Sequence, residues 1–411
     1  MTMCETVGVD QAALDRLVLR RDHSPFAEDV ASRVDDLHSS ADGKRILVVG
    51  GGGTIGSATT ALISRFRPSA LHVVDQSENY LAELVRDLRG RPGGLAVTDF
   101  RTLPLDYGAP IMGRFLAESR PYDIVLNFAA LKHVRSEKDV YSLLQMIDTN
   151  IVRHVRFKRW LASHGHAGRY FAVSTDKAAN PTSLMGASKR LMEDIAFDIA
   201  VPEGGTAISA RFANVAFSNG SLLQGFLYRL SKGQPLATPR DARRYFVSQT
   251  ESGEICTLSA LLGSHDQVLF PHLDPVNQLE SLEDVARRFL GHAGFVAEPF
   301  SDENEARAAV SALAREGRWP LLLTPLDTSG EKPYEEFVGV GEHTVDSGLA
   351  TLGAVMHLPT RALSSGVVDM LERAVTRVDL ALDKQAIVDA IESVIPTFAH
   401  RETGKTLDDR L

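Results

Sequence analysis

Lys44 to Val49 (KRILVV) reads as a buried strand and runs directly into Gly50-Gly51-Gly52-Gly53-Thr54-Ile55-Gly56. A helix pattern follows from Ala58 to Phe66. Gly50, Gly53 and Gly56 have the G-x-x-G-x-x-G spacing. Such glycines give a tight turn and let backbone approach a pyrophosphate at a helix N-terminus. A glycine run alone is weak evidence. A strand before it, a helix after it and a second strand ending in an acid make it strong. That second strand is Leu71-His72-Val73-Val74, and Asp75 closes it about 20 residues past the turn, as a dinucleotide site requires. Gly50, Gly53, Thr54, Ile55, Gly56 and Asp75 are therefore the first cofactor-binding candidates. Asp75 is suited to the adenosine ribose hydroxyls and repels a 2′-phosphate, which favours NAD over NADP. It could also cap the helix expected over 77–88, and both roles can hold.

The βαβ rhythm continues. Asp106 follows a poorly patterned segment and is assigned to the adenine end. Pro121 to Phe128 (PYDIVLNF) is a strand ending in Ala129-Ala130-Leu131-Lys132-His133. The small Ala129 and Ala130 let backbone approach the nicotinamide side. Lys132 and His133 could reach a ligand, although His133 could equally be a hydrogen-bonded structural histidine. Tyr141 to Trp160 reads as helical, with Asn150 inside it. Tyr170 to Val173 is a short buried strand, and Asn180-Pro181 then breaks the chain. From about Ser183, Ala187, Leu191, Ile195 and Ile199 recur at helical spacing. Ser174, Thr175, Asp176 and Lys177 thus fall at the carboxyl end of a strand, the edge where open α/β sheets bind ligands. Met185 and Lys189 are four apart and share a helix face. A polar turn capping a helix is the plainer account. It leaves unexplained why an aspartate and two lysines gather beside an apolar strand.

Thr206 to Phe212 is a further strand, ending in Ala213-Asn214-Val215. This regular alternation predicts an α/β fold, a parallel sheet with helices on both faces. After Ser218 the elements shorten, punctuated by Gly220, Gly225, Gly233, Pro235 and Pro239. Arg240, Arg243 and Arg244 precede Tyr245-Phe246, a grouping suited to a nucleotide diphosphate and its base rather than to a merely solvated face. Val268-Leu269-Phe270, within 266–272, is a strand that could rejoin the main sheet. The expected organisation is a helical leader at 1–43, a dinucleotide domain at 44–217, a mainly substrate-binding part at 218–345 and a helical extension at 346–411. In the leader, Phe26, Val30, Val34 and Leu37 line one face of an expected short amphipathic helix. The leader is either an arm packed on its own domain or an oligomer contact. Leu279 to Leu290 and Val367 to Leu382 read as amphipathic helices.

The net charge of −9 argues against a nucleic-acid binder but leaves room for a local anion pocket. Two cysteines, Cys4 and Cys256, exclude a disulfide framework and fit a reducing, cytoplasmic setting. No membrane span is expected. His154, His164 and His166 lie among basic residues without ligand spacing to an acid, so no metal is assigned.

GGGGTIGS at 50–57, AALKHV at 129–134, STDKAANPTSLMGASKR at 174–190, RFANV at 211–215, RRYF at 243–246 and GEKPYEEF at 330–337 occur in that order. Together they resemble the extended short-chain dehydrogenase/reductase superfamily. More closely, they resemble its polysaccharide-biosynthesis branch, the UDP-N-acetylglucosamine 4,6-dehydratases. The resemblance implies a doubly wound Rossmann-type NAD domain and a smaller C-terminal nucleotide-sugar domain. It also implies a UDP-sugar substrate and a homo-oligomer. Most of the superfamily uses a Tyr-x-x-x-Lys pair; here Met185 stands at the tyrosine position and Lys189 remains. A thioether cannot transfer a proton. Some members of the dehydratase branch also carry methionine there. The implied roles are Lys177 as C5 base, Asp176 as acid to the C6 hydroxyl and Thr175 as partner of the 4-oxygen. Lys189 would bind the nicotinamide ribose, and Asn214, Arg243 and Arg244 the UDP. A nucleotide-sugar epimerase or 4-oxidoreductase is the rival enzyme reading, and a non-catalytic NAD-binding scaffold the rival of another class.

Overall fold

The computed structural model describes residues 10–132, 137–199, 204–358, 360, 363, 366–377 and 383–405. β1 (Arg45–Val49) is buried from Ile46 onward, and every residue of β2 (Ala70–Val74) is buried. Near-continuous apolar strands of this kind are what a parallel sheet covered on both faces requires. β3 (Asp99–Leu103), β4 (Ile124–Asn127), β5 (Arg169–Val173) and β6 (Thr206–Ala210) complete the parallel part, in the order β3-β2-β1-β4-β5-β6. This is the doubly wound Rossmann order, and its direction reverses between β1 and β4. Side chains alternate across it. Ile46 and Val48 pack with Ile255, Leu258 and Leu261 on one face, while Leu47 and Val49 pack with Phe157 and Leu161 on the other.

The smaller part holds two three-stranded sheets. β7 (Asn214–Val215) pairs with β9 (Arg243–Val247), which pairs with β11 (Leu279–Ser281). β8 (Leu236–Pro239) pairs with β13 (Arg318–Thr324), which pairs with β12 (Val296–Phe300). β10 (Gln267–Pro271) returns to the main sheet beside β6, as the apolar run at 268–270 predicts. The main sheet then continues antiparallel with β15 (Leu352–Met356) and β14 (Thr344–Val345), giving nine strands among the described residues. Leu352–Met356 falls where the sequence pattern predicts only a helical extension. It is a strand because its buried residues complete the sheet beside β10.

The leader from residue 10 onward packs on its own chain. Phe26 and Leu37 are fully buried against helix Gln249–Leu262 and the helices of the main core. The single helix expected from Phe26 to Leu37 breaks at Arg33, and Val34 is left 40% exposed. Leu14 and Val18 join the core of the smaller part. Past Lys384, Ile387 and Ile391 pack against helix Leu184–Asp198 and the residues around Leu143. Of the helix expected over 367–382, Val367–Thr376 is formed, and 378–382 lie outside the described residues. No helix among the described residues is long and apolar enough to cross a membrane.

Candidate active site

The glycine turn is built by close approach. Gly50 has φ +72°, and a Cβ there would stand 2.6 Å from the backbone nitrogen of Ala129. A Cβ on Gly56 would stand 2.4 Å from the Gly50 carbonyl oxygen. Both positions therefore need glycine so that β1, the turn and β4 can meet. Gly53 differs: a Cβ would find only the Gly50 oxygen at 3.5 Å. The space beside Gly53 is open, at the start of helix Thr54–Ile63, which no side chain caps. An uncapped N-terminus with an open glycine fits a pyrophosphate. Asp75 is held across the turn: its carboxylate accepts from the Gly52 N–H at 3.0 Å and the Ser77 N–H at 2.9 Å. Ser77, not Asp75, caps the following helix.

Gly50, Gly53, Asp75, Asp106, Ala129 and Ala130 line one cleft whose enclosed part measures about 170 Å³. Six residues read from the sequence are thus brought together. Asp106 accepts from the Gly108 N–H and pairs with Arg153, which also lines the cleft. Thr54 and Ile55 sit half-buried in the first turn of the helix, and Thr54 accepts from the Asn219 N–H, joining this helix to the smaller part. Lys132 is exposed just beyond the cleft, and His133 lies outside the described residues. A larger cavity of about 330 Å³, lined by Lys138, Lys384, Glu402 and Lys405 beside Glu137, contains none of the residues predicted from sequence.

The second centre stands at the carboxyl end of β5. Asp176 is 2% exposed. Its Oδ1 accepts from the Thr175 hydroxyl at 2.8 Å and from Lys177 Nζ at 3.0 Å, while Oδ2 is buried without a hydrogen-bond partner among the described residues. Glu335, 5% exposed, brings a carboxylate oxygen to 3.8 Å from Lys177 Nζ. Burial pushes the Glu335 carboxyl up, opposed by Lys177 and reinforced by Asp176. Glu335 lies inside the GEKPYEEF stretch, but its spacing carries no signal; only the fold lays this loop on Lys177.

Lys189 is buried, and its ammonium donates to the Val173 carbonyl at 2.7 Å. Burial pushes its pKa down to about 8. Met185 is 3% exposed and packs in an apolar cluster with Leu143, Leu184 and Ile147, while Glu137 accepts from its backbone N–H. Asn150 sits in a π-helical turn (Asp148–Val152) that interrupts the helix expected over 141–160. Its amide bonds both backbone groups of Leu131 and the Ser188 hydroxyl, clamping the strand-β4 loop to helix Leu184–Asp198. π-turns concentrate at functional sites.

Asn214, Arg243 and Arg244 share one small sheet. Asn214 donates to the Tyr245 carbonyl. Arg244 donates to the carbonyls of Lys332 and Pro333, and Lys332 is 3.7 Å from Glu335. The arginine pair is therefore tied to the loop that lies on Lys177. Arg243 is exposed. Beneath the centre is a buried charge network. Arg211 is fully buried and bonds Glu193 and Glu342, and Arg190 bonds the same two acids. Ser174 donates to Glu193 at 2.5 Å. His154 and His166 are buried structural histidines, bonded to Tyr170 and to backbone at Tyr122 and Leu116.

A doubly wound sheet, a glycine turn at its switch point and a Thr-Asp-Lys strand end with a lysine on the next helix define an extended short-chain dehydrogenase/reductase. The chain belongs to the polysaccharide biosynthesis protein family, whose model matches residues 46–317. It is 27% identical over 325 residues to the probable polysaccharide biosynthesis protein EpsC of Bacillus subtilis, covering 77% of this chain and 49% of that protein. The chain thus spans about half of EpsC. It is 27% identical to an inverting UDP-N-acetylglucosamine 4,6-dehydratase of Campylobacter jejuni, covering 61% of this chain and 72% of that one. In fold it is similar to Pen from Bacillus thuringiensis, with TM-score 0.62 and 20% identity, covering 77% of this chain and 88% of that chain.

Proposed function

We propose that the chain is an NAD-dependent nucleotide-sugar 4,6-dehydratase acting on a UDP-N-acetylhexosamine, with UDP-N-acetylglucosamine the first substrate to test. The observation that carries this is the joined Thr175–Asp176–Lys177 group, with one buried Asp176 oxygen free of any hydrogen bond. Bound NAD would supply the hydride acceptor and donor for C4 and C6. Gly50, Gly53, Thr54, Ile55 and Gly56 would hold its pyrophosphate, Asp75 and Asp106 its adenosine half, and Ala129, Ala130 and Lys189 its nicotinamide half. Once C4 is a ketone, the C5 proton is acidic. Lys177 takes it, and Asp176 gives a proton to the departing C6 oxygen, so water leaves and a C5–C6 double bond forms. For the amine to be neutral its own proton must have a holder. Glu335, raised by burial and 3.8 Å away, is that holder. Thr175 holds the 4-oxygen, while Asn214, Arg243 and Arg244 take the UDP, with Lys132 and His133 on the sugar side. Reprotonation of C5 from either face permits inversion there. A homo-oligomer in a cytoplasmic setting completes the reading.

The test is incubation with NAD and a panel of nucleotide sugars, followed by mass spectrometry. The expected product is lighter than its substrate by one water. A product of unchanged mass but altered C4 configuration would instead make the chain an epimerase, and bound NAD without turnover of any sugar would make it a scaffold. NAD should bind more tightly than NADP, and Asp75→Ala should narrow that preference; equal affinities in the unmutated protein would remove the role given to Asp75.

A further inference from the structure

Helix Leu184–Asp198 carries the catalytic candidates in its first half. Its last turns carry Asp194 and Asp198, four residues apart and so on one face. His357, from the segment after β15, comes against that face. Asp194 is fully buried, and the His357 side chain is 2% exposed. Among the described residues, Asp194 Oδ1 and both ring nitrogens of His357 are buried without hydrogen-bond partners. Buried polar atoms are satisfied in the great majority of cases, so two facing orphans, Asp194 Oδ1 and His357 Nε2, ask for a common cause.

The distances supply one. His357 Nε2 is 3.4 Å from Asp194 Oδ1 and 3.7 Å from Asp198 Oδ1, and the ligand atoms of all three residues lie within 4.8 Å of one another. A charge-assisted imidazole–carboxylate hydrogen bond would bring nitrogen and oxygen to about 2.7–2.9 Å. Two ligands of a tetrahedral zinc, each bonded at about 2.0–2.1 Å, stand about 3.4 Å apart. His357 Nε2 and Asp194 Oδ1 therefore stand at the spacing of two ligands of one ion, with Asp198 close enough to be a third. The surroundings also hold the ligands in place, as outer groups at metal sites do. The Thr360 hydroxyl donates to the other oxygen of Asp194. The His357 ring stacks on Phe197 with centroids 4.4 Å apart, and its backbone N–H donates to the Asp266 carbonyl at 2.7 Å.

We propose that Asp194, Asp198 and His357 bind a divalent transition-metal ion, zinc in the first instance. One imidazole and two carboxylates form a mixed nitrogen–oxygen set of the kind zinc accepts. The site contains none of the residues given a part in sugar chemistry, so its ion fastens the segment after β15 to the helix that carries Lys189. The proposal stands apart from the dehydratase reading.

The test uses the full chain, stripped with a chelator, dialysed and then titrated with zinc under elemental analysis. One equivalent should bind per chain and raise the melting temperature. Cobalt in its place should give the visible absorption of a tetrahedral ion. Asp198→Asn changes only the exposed ligand and should weaken zinc binding about 10–100-fold, with NAD binding and fold retained. His357→Gln should do the same and serves as the second variant should either one fold poorly. If zinc, manganese and cobalt all fail to bind the folded wild-type chain, or if both variants keep the wild-type affinity, the proposal is overturned. The cluster is then a histidine packed between two carboxylates with no ion.

Discussion

The cofactor cleft and the strand-end centre are built by opposite means. The cleft is made of backbone: Gly50 touches Ala129, Gly56 touches Gly50, and Asp75 accepts from the amide of Gly52. Its parts lie near one another in sequence or on neighbouring strands. The centre around Lys177 is made of side chains that arrive from afar: Glu335 across a loop, and Glu342 reaching Arg190 and Arg211. A backbone site tolerates changes of charge but not of bulk at its glycines. A side-chain site made of buried charges reverses that sensitivity, because removing one partner leaves the other buried and alone.

The largest effect should come from Lys177. Lys177→Met removes the proposed base while keeping the stem that fills the space. Dehydration should fall by about 10²–10⁴, the scale of general acid–base catalysis. Exchange of the C5 hydrogen with deuterated solvent should disappear, and binding of NAD and UDP-sugar should persist. Wild-type dehydration by this variant would move the base elsewhere, with Lys132 and His133 the next candidates.

Arg211→Met comes next and is read as stability. It strands Glu193 and Glu342 in the interior and should cost about 3–5 kcal/mol in denaturant unfolding. Burial alone would raise the Glu193 carboxyl. The guanidinium of Arg211, with Arg190 and the Ser174 hydroxyl, holds it down at about 2 instead. A carboxyl depressed in the folded state contributes stability that is complete above its ordinary range near 4.5 and is lost as the pH falls toward 2. The wild-type protein should therefore lose stability over that window, and Arg211→Met should show a flatter acid limb. Parallel curves for the two proteins would mean that the network contributes little.

Two glycine variants sharpen the comparison from the other side. Gly50→Ala forces a methyl into φ +72° and to 2.6 Å from Ala129. It should destabilise the fold by about 1–3 kcal/mol as well as weaken NAD binding. Gly53→Ala meets only open space in the protein, so its melting temperature should hold while NAD affinity drops. Unchanged NAD affinity in Gly53→Ala would show that the open side of the turn is not where the pyrophosphate sits.

The same contrast governs what could be read from the chain. β1, the glycine turn, β2 and Asp75 were legible because each is local: apolar runs, glycine spacing and one acid at a set distance. The strand at 268–270 and the Thr175–Lys177 edge were legible for the same reason. Leu352–Met356 was not, since its strand character comes from pairing with β10, about eighty residues earlier in the chain. Nor was the break at Arg33, where Val34 satisfies the apolar period yet stays 40% exposed. Glu137 and Glu342 look like ordinary surface acids in sequence, and Glu335 is one of three glutamates in the GEKPYEEF loop with nothing to single it out. They matter because the fold lays Glu335 on Lys177, Glu137 on the Met185 amide and Glu342 on Arg211.

Met185 carries the smallest expected effect, and it asks whether the two building styles meet on one helix. From the sequence it shares a face with Lys189 and would line the crevice. In the structure its side chain is 3% exposed and packs with Leu143, Ile147 and Leu184, while its amide is taken by Glu137. A tyrosine there must place its hydroxyl among apolar neighbours or push past them toward Lys189, whose ammonium already donates to Val173. Met185→Tyr should therefore fold with a modest loss of stability, about 1–3 kcal/mol for overpacking. It should also leave the rate of sugar turnover within about tenfold of wild type, well short of what a working general base supplies. A gain of about 100-fold or more would mean that the tyrosine does reach the C4 hydroxyl. The superfamily's usual proton route would then be intact in this chain, lacking only its base.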